Sequence, residues 1–369
     1  MMIKTDFIPG LELNGLFFQE VVRPILVEHW PELRFAAALI GTGSEVLGYD
    51  TEMSTDHHWG PRVMLFLDQK DLDQIGKELH TVFANELPYS FHGNSTHFTP
   101  PDPQDHGTQL QQVIDSGPVN HRVELLNLDV YCRMYLGIDP SNPLSPADWL
   151  TIPGQKLLSV TAGAVYWDGI GELTRLREKL EYYPHDIWLY MMAAGWARIG
   201  QEEHFMGRCG YAGEELGSRL IAARLVHDLM NLCFLIERQY PPYSKWFGTA
   251  FQRLACSPRL LPLFAEVMDA QTWQAREVPL CQAYQVVADL HNGLRKTEPI
   301  LSQVSSFHGR PFQVIHAEIY AEALKAQIRD PDVARIAQLT DCGALEQFST
   351  SSELLSDTRI AYRIQSLYL

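Results

Sequence analysis

The chain has 369 residues, of which 46% are hydrophobic and 20% are charged, proportions typical of a globular protein rather than a disordered one. A chain of this length can form two or three domains with a substantial core. The formal net charge of -16 at pH 7 argues against broad nucleic-acid binding, which requires a basic surface.

The cysteines and the N-terminal sequence indicate a cytoplasmic protein. The six cysteines are scattered and form no C-x-x-C pair, so we expect reduced thiols and no structural zinc site. Residues 1–14 lack the apolar core of a signal peptide. The most apolar helical stretch, residues 187–197, is too short to span a bilayer, so no membrane partner is expected.

Taken in chain order, the first predicted elements are a helix and a buried strand. Apolar residues recur at helical spacing over residues 15–30, where Pro24 is expected to kink or divide the helix. Residues 35–40 form an apolar run of the length of a buried strand, and residues 63–67 form a second such run. Gly41-Thr42-Gly43-Ser44 ends the first run, and Asp56-His57-His58 precedes the second.

This pattern predicts a phosphate-binding turn beside a metal ligand. If the turn leads into a helix, the Gly43 backbone and the Ser44 hydroxyl can donate to phosphate oxygens. Asp56 and His58 are two residues apart, so on a strand they would project from the same face. A carboxylate there can hold a divalent cation against a triphosphate.

The order and spacing of these motifs resemble the nucleotidyltransferase superfamily, in particular bacterial proteins similar to the aminoglycoside adenylyltransferases. The resemblance implies transfer of a nucleoside monophosphate from a nucleoside triphosphate to a hydroxyl of a small molecule or protein. It also implies Mn²⁺ or Mg²⁺ on Asp56, supported by His58. The superfamily normally has a second acid where this chain has His58. The competing hypothesis is therefore a degenerate member that senses a nucleotide without turning it over.

The motifs allow two other interpretations. Residues 41–44 can be an ordinary loop, with Asp56 a solvated turn residue. The phosphoesterases named for Asp-His-His also need an upstream acidic metal-binding motif, and no Asp-x-Asp precedes Asp56. We therefore reject a phosphoesterase.

Residues 121–131 again have strand character, and we expect a third carboxylate there. Glu124 and Asp129 are an odd number of residues apart, so on a regular strand they face opposite sides. The segment from His121 to Leu125 resembles the strand that carries a glutamate in aminoglycoside adenylyltransferases. The resemblance makes Glu124 the residue that activates the acceptor. An equal alternative is that Glu124 has no role in catalysis and pairs with Arg122 or with solvent.

The remaining sequence predicts a helical domain. Four prolines within residues 138–153 mark a boundary, so we predict an α+β fold with a nucleotidyltransferase-like mixed-sheet domain over 1–140 and a helical bundle over 141–369. Helices are expected at residues 171–181, 186–205, 213–240, 246–254, 262–270, 280–292, 311–328 and 332–339.

One corner of this bundle carries a further candidate binding residue. Residues 237–248 gather Arg, Lys, Tyr and Trp around Pro241-Pro242, so Lys245 is a candidate to bind a nucleotide phosphate. Packing of the two helices by Tyr243, Trp246 and Phe247 explains the same composition equally well.

Overall fold

The computed structural model describes residues 7–369, which fold into two compact units. The first is α+β and the second is mainly helical. The first unit contains the chain up to Pro143 together with Lys156–Glu181, and the second contains Leu144–Gln155 together with Tyr182–Leu369. The sequence predicts a single division near residue 140. Residues 156–181 instead group with the first unit because they supply a strand of its sheet.

The elements are numbered here in chain order. The β-strands are β1 Phe35–Leu39, β2 Arg62–Leu67, β3 Ser90–Phe91, β4 Asn94–Ser95, β5 Arg122–Leu126, β6 Ala164–Asp168, β7 Ser305–Ser306 and β8 Gln313–Val314. The α-helices are α1 Gly10–Phe17, α2 Arg23–His29, α3 Gln69–Glu86, α4 Leu128–Tyr135, α5 Pro146–Thr151, α6 Gly154–Thr161, α7 Glu172–Lys179, α8 His185–Glu202, α9 Phe205–Tyr211, α10 Glu215–Ile236, α11 Ser244–Phe251, α12 Ser257–Asp269, α13 Trp273–Gly293, α14 Ala317–Lys325, α15 Pro331–Leu339, α16 Leu345–Phe348, α17 Ser352–Ser356 and α18 Thr358–Arg363. No described helix is both long and apolar enough to cross a membrane.

The sheet of the first unit is mixed, with strand order β5-β2-β1-β6. Strand β1 pairs antiparallel with both β2 and β6, whereas β2 pairs parallel with β5. Ala38 lies opposite Met64 on β2, and Met64 lies opposite Glu124 on β5. This register fixes which side chains of the three strands share a face.

One face of the sheet packs on helices, and the other carries the polar residues. Val63, Leu65 and Val123 join the core cluster formed with α1, α2 and α3. Because side chains alternate along a strand, Arg62 and Glu124 lie on the opposite face. That face is covered in part by α4, whose Tyr131 ring lies 5.5 Å from the ring of Phe66.

The helix predicted at the N-terminus is confirmed, with an irregular centre. A π-helical segment, Phe18–Val22, connects α1 to α2, and Pro24 occupies the first turn of α2. Proline has no N–H to donate, so the helical hydrogen-bond ladder is interrupted at Pro24, next to the π-helical segment. The predicted helix is therefore divided near Pro24, where a π-helical segment separates α1 from α2.

The second unit is helical, as predicted. Its long helices α8, α10 and α13 correspond to the predicted segments 186–205, 213–240 and 280–292. Helix α14 begins at Ala317, six residues later than predicted. The short hairpin of β7 and β8 occupies the residues that precede it. Residues 87–118 contain only β3 and β4 as regular elements.

Candidate functional site

The sheet topology brings the end of one strand beside the starts of two others. Since β1 is antiparallel to β2 and β2 is parallel to β5, the last residue of β1 lies at the same end of the sheet as the first residues of β2 and β5. Those first residues are Arg62 and Arg122, which are register partners. We call this region, with the turn at residues 41–48, the polar end of the sheet.

The turn at residues 41–48 leaves a run of backbone amides without acceptors. Gly41 donates its amide to the Ser159 carbonyl at 2.8 Å. By contrast, the amides of Thr42, Gly43 and Ser44 donate to no residue in the described part of the chain. Gly41 has a φ of 88° and Gly43 a φ of 138°, conformations in which a side chain would be strained. Successive free amides on such a turn form a concavity that suits an anion.

The segment after Ser44 differs from the prediction, because the turn does not lead into a helix. The Tyr49 amide donates to the Ser44 carbonyl at 2.9 Å, and the Gly48 amide donates to the Glu45 carbonyl at 3.0 Å. These bonds close a compact turn before the chain continues to a 3-10 helix at Glu52–Asp56. A helix dipole therefore contributes nothing to anion binding here, and any binding rests on the individual amides.

A buried ion pair between Arg62 and Glu45 stabilises the turn. The Arg62 guanidinium donates through Nη2 to Glu45 Oε1 at 2.6 Å and to the Thr42 carbonyl at 2.9 Å. Arg62 is 6% exposed and Glu45 is 4% exposed. A Cβ at Gly43 would lie 2.6 Å from the Glu45 carboxylate. The pair therefore fixes the position of Thr42 and requires glycine at position 43.

Arg122 connects two of the predicted site residues. Its Nη2 donates to Glu124 Oε1 at 3.0 Å, and its Nη1 donates to the His58 carbonyl at 3.1 Å. His58 Nδ1 also lies 3.2 Å from Nη1. Burial, followed by the charge of Arg122, lowers the pKa of His58 below its usual value, so a neutral imidazole accepts from the guanidinium. The ion pair of Glu124 with Arg122 matches the alternative weighed for this glutamate.

Asp56 and His58 do not lie on a strand, which corrects the prediction. Strand β2 begins only at Arg62, and Asp56 ends the 3-10 helix that precedes it. The Asp56 carboxylate is exposed and accepts from Nδ1 of the adjacent His57 at 2.8 Å. His58 has a φ of 53°, so its backbone is in the left-handed region and not extended. The two-residue alternation of a strand therefore does not apply to them.

The described residues do not fit a two-metal centre. Within them, no group of three or more His, Cys, Asp or Glu side chains is arranged to hold a metal ion. Glu45 is neutralised by Arg62, and the Nδ1 atom of His58 faces the cationic Arg122. The predicted role of Asp56 and His58 as ligands of Mn²⁺ or Mg²⁺ stays a prediction.

The two remaining predicted positions lie in helices. Asp129 belongs to α4 and not to β5, so the strand alternation used to compare it with Glu124 does not hold. Lys245 belongs to α11 of the second unit, where it is exposed and its Nζ lies 4.9 Å from the centre of the Trp246 ring. Its role in nucleotide binding stays a prediction.

Sequence reasoning missed Glu45, Arg62 and Tyr131. Arg62 directly precedes an apolar run, and Glu45 follows Ser44, but neither belongs to the motif that was recognised. Buried charges are rare unless they are paired, so the pairing of Glu45 with Arg62 is visible only in the structure. The sequence predicts strand character up to Tyr131, whereas this residue lies on α4.

Comparison with known proteins gives limited matches. Residues 149–247 match a family described as a domain of unknown function (DUF4037). The matched segment does not include the polar end of the sheet, apart from its neighbour Ser159. No curated protein matches the sequence. A solved structure of a nucleotidyltransferase-like protein from Exiguobacterium sibiricum 255-15 aligns with 79% of this chain and 83% of its own, at 12% identity and a TM-score of 0.34. A similarity of that size establishes neither fold nor activity.

Proposed function

We propose that the first unit binds a nucleoside triphosphate at the polar end of its sheet, as a nucleotidyltransferase-like protein. The observation that supports this proposal best is the run of three unpaired amides, from Thr42 to Ser44, at the end of β1. Phosphate oxygens are strong acceptors, and backbone amides fixed in a turn bind them without the cost of ordering long side chains.

The charged side chains around the turn attract a polyanion such as a triphosphate only moderately. Arg62 is balanced by Glu45 and Arg122 by Glu124. Because the two ion pairs are formally neutral, the amides and any remaining guanidinium N–H groups supply the attraction. The binding energy is therefore expected to come mainly from hydrogen bonds to charged oxygens, each of which contributes about 1.5–3 kcal/mol.

A second candidate function is transfer of the nucleoside monophosphate to a hydroxyl acceptor, and the position of Glu124 favours it. The Glu124 side chain is 38% exposed and one of its oxygens is fixed by Arg122. A partly exposed, oriented carboxylate can take a proton from an acceptor hydroxyl. Transfer by the superfamily mechanism also needs a divalent cation, and Asp56 is exposed and paired with His57. Binding without turnover, as in a nucleotide sensor, therefore fits the geometry better.

The proposal is tested by the thermal stability of the protein with millimolar ATP, GTP, CTP or UTP in EDTA, Mg²⁺ or Mn²⁺. We expect at least one triphosphate to raise the melting temperature, and the increase to persist in EDTA. Ser44→Ala should weaken binding by roughly tenfold, the loss of one hydrogen bond to a charged phosphate. The Ser44 hydroxyl has no partner among the described residues, so this change should leave the apo stability unaltered.

Ser116→Ala is the matched control, because Ser116 is an exposed loop serine whose hydroxyl donates to Asp115. It should bind nucleotide like the wild type. Absence of a shift with all four nucleotides, in every metal condition, would disprove the proposal. Release of pyrophosphate by the wild type would favour the transferase over the sensor.

A further inference from the structure

Tyr131 presents a buried hydroxyl without a partner to the proposed site. The residue is 9% exposed, and its hydroxyl oxygen has no hydrogen-bond partner in the described structure. A Cβ built on Gly41 would lie 3.0 Å from that oxygen. The hydroxyl therefore lies close to the first residue of the turn, where even a methyl group on the backbone would make a tight contact. Buried polar groups are nearly always hydrogen-bonded, so an exception indicates a missing partner.

A second buried donor, on the arginine that holds the Thr42 carbonyl, also has no partner among the described residues. Arg62 Nε has no partner among the described residues, although Arg62 Nη2 holds the Thr42 carbonyl. Burial raises the pKa of the Tyr131 hydroxyl well above its usual value, and the charge of Arg62 opposes this rise only weakly. The hydroxyl is consequently protonated at neutral pH and can act as a donor. Two unused donors thus accompany the free amides that follow Gly41.

The neighbouring tyrosine shows that a tyrosine on this helix can find a partner. Tyr135 stacks on Tyr131 with ring centres 5.3 Å apart, and its hydroxyl lies 2.7 Å from Ser159 Oγ. The Ser159 carbonyl in turn accepts the Gly41 amide. Tyr135 and Ser159 therefore contribute to the support of the turn, whereas no described residue forms a hydrogen bond with the Tyr131 hydroxyl.

We propose that Tyr131 is a phosphate-binding residue, whose hydroxyl donates to a phosphate oxygen seated over Gly41 together with Nε of Arg62. The proposal rests on the proposed function, because it assumes that the triphosphate lies on the turn at residues 41–48. It assigns the hydroxyl to the phosphates and not to the nucleoside. Phosphate oxygens carry the charge that strengthens such a bond, and the unpaired amides that fix their position are adjacent.

The test is isothermal titration of wild type, Tyr131→Phe and Tyr284→Phe with ATP, inorganic tripolyphosphate and adenosine. Tyr131→Phe removes one oxygen atom that has no partner, so its stability in urea should equal or exceed that of the wild type. Its affinity for ATP and for tripolyphosphate should each fall by roughly tenfold. Tyr284 also has a buried, unpartnered hydroxyl, but it lies on α13 in the second unit. Tyr284→Phe should bind both ligands like the wild type.

The outcomes separate this inference from the function on which it rests. If the wild type binds neither ATP nor tripolyphosphate, the proposed function fails and Tyr131 has no phosphate to bind. If the wild type binds both and Tyr131→Phe binds them equally well, only the assignment of Tyr131 is overturned. A loss confined to ATP would place the hydroxyl on the nucleoside, which also overturns the phosphate assignment.

Discussion

Glu124 is the carboxylate at the polar end of the sheet that is both oriented and accessible. Glu45 is buried against Arg62, and Asp56 is exposed and bound to its neighbour His57. Glu124 is held by Arg122 on one side and remains partly open to solvent on the other. If the protein transfers a nucleoside monophosphate, Glu124 is therefore the residue expected to take the proton of the acceptor.

Replacement of Glu124 tests that role. Glu124→Gln keeps the size and one acceptor oxygen but removes the base, so we expect nucleotide affinity to change by less than about threefold and turnover to fall roughly 100-fold. Asp129→Asn is the control, because Asp129 is exposed on α4 and should leave both unchanged. Pyrophosphate release and titration with ATP measure the two quantities. Equal turnover of wild type and Glu124→Gln would contradict a catalytic role.

Among individual residues, the sequence predicted those of the turn after β1 but not the charged residues that hold the turn in place. Gly43 and Ser44 lie where the predicted end of β1 places them, because a strand followed by small residues strongly constrains the backbone. The pairing of Arg62 with Glu45 and of Arg122 with His58 depends on strand register. Register is not contained in the local pattern, so these partners could not be predicted. Asp56 was misplaced because five residues separate it from the first residue of β2.

Among the elements, the helices of the second unit follow directly from their periodicity, but their mutual contacts do not. Three of them meet at Trp196 of α8, His291 of α13 and Tyr320 of α14. The rings of Trp196 and Tyr320 stack with centres 4.4 Å apart. Trp196 Nε1 donates to His291 Nδ1 at 3.1 Å, and the other ring nitrogen of His291 lies 3.1 Å from Thr297 Oγ1. This contact needs an unprotonated Nδ1.

The contact makes the stability of the second unit dependent on pH. Burial lowers the pKa of His291 to about 4 from a usual value of 6.5. The stabilisation is therefore fully present above pH 6.5. It is lost as the pH falls towards 4, because the unfolded chain binds a proton that the folded chain does not. The expected loss is about 3 kcal/mol, from roughly 1.4 kcal/mol per pKa unit.

His291→Asn isolates this contribution, since asparagine can still accept from Trp196 but does not titrate. The variant should be less stable than the wild type at pH 7.5, because a buried ring is lost. The difference between the two free energies of unfolding should shrink towards pH 4.5 in urea titrations. The control is His185→Asn, at an exposed histidine at the start of α8. The difference in free energy of unfolding between this variant and the wild type should not shrink towards pH 4.5. A constant difference for His291→Asn would mean that His291 does not titrate in this range.

For the whole molecule, the sequence predicted the α+β class and the helical second unit. It did not predict that the chain enters the second unit at residues 144–155 and then returns to the first unit for residues 156–181. The prolines near residue 140 do mark a passage from the first unit to the second. Strand β6 was missed because residues 164–168 are short, only partly buried and preceded by α6. The strand exists because it completes the edge of β1, a long-range pairing that a local pattern does not reveal.

A truncated chain tests the importance of this pairing. A fragment that ends at residue 143 lacks β6, so the apolar strand β1, with the sequence FAAAL, has an unpaired edge. Exposed apolar edges promote association between molecules. We expect this fragment to aggregate and a fragment that ends at residue 181 to be soluble, as measured by size-exclusion chromatography. A soluble, monomeric fragment 1–143 would show that β6 is dispensable.

The pairing of β1 with β6 also affects the order in which the protein forms during translation. The ribosome makes β1 early and β6 only after residues 144–155, which already belong to the second unit, have been added. Domains generally fold as units while the chain is made from its N-terminus. Here the first unit stays incomplete after synthesis of the second has begun. During that interval a chaperone that binds extended apolar segments would compete with β6 for β1, and a ribosome stalled there would display the unpaired edge.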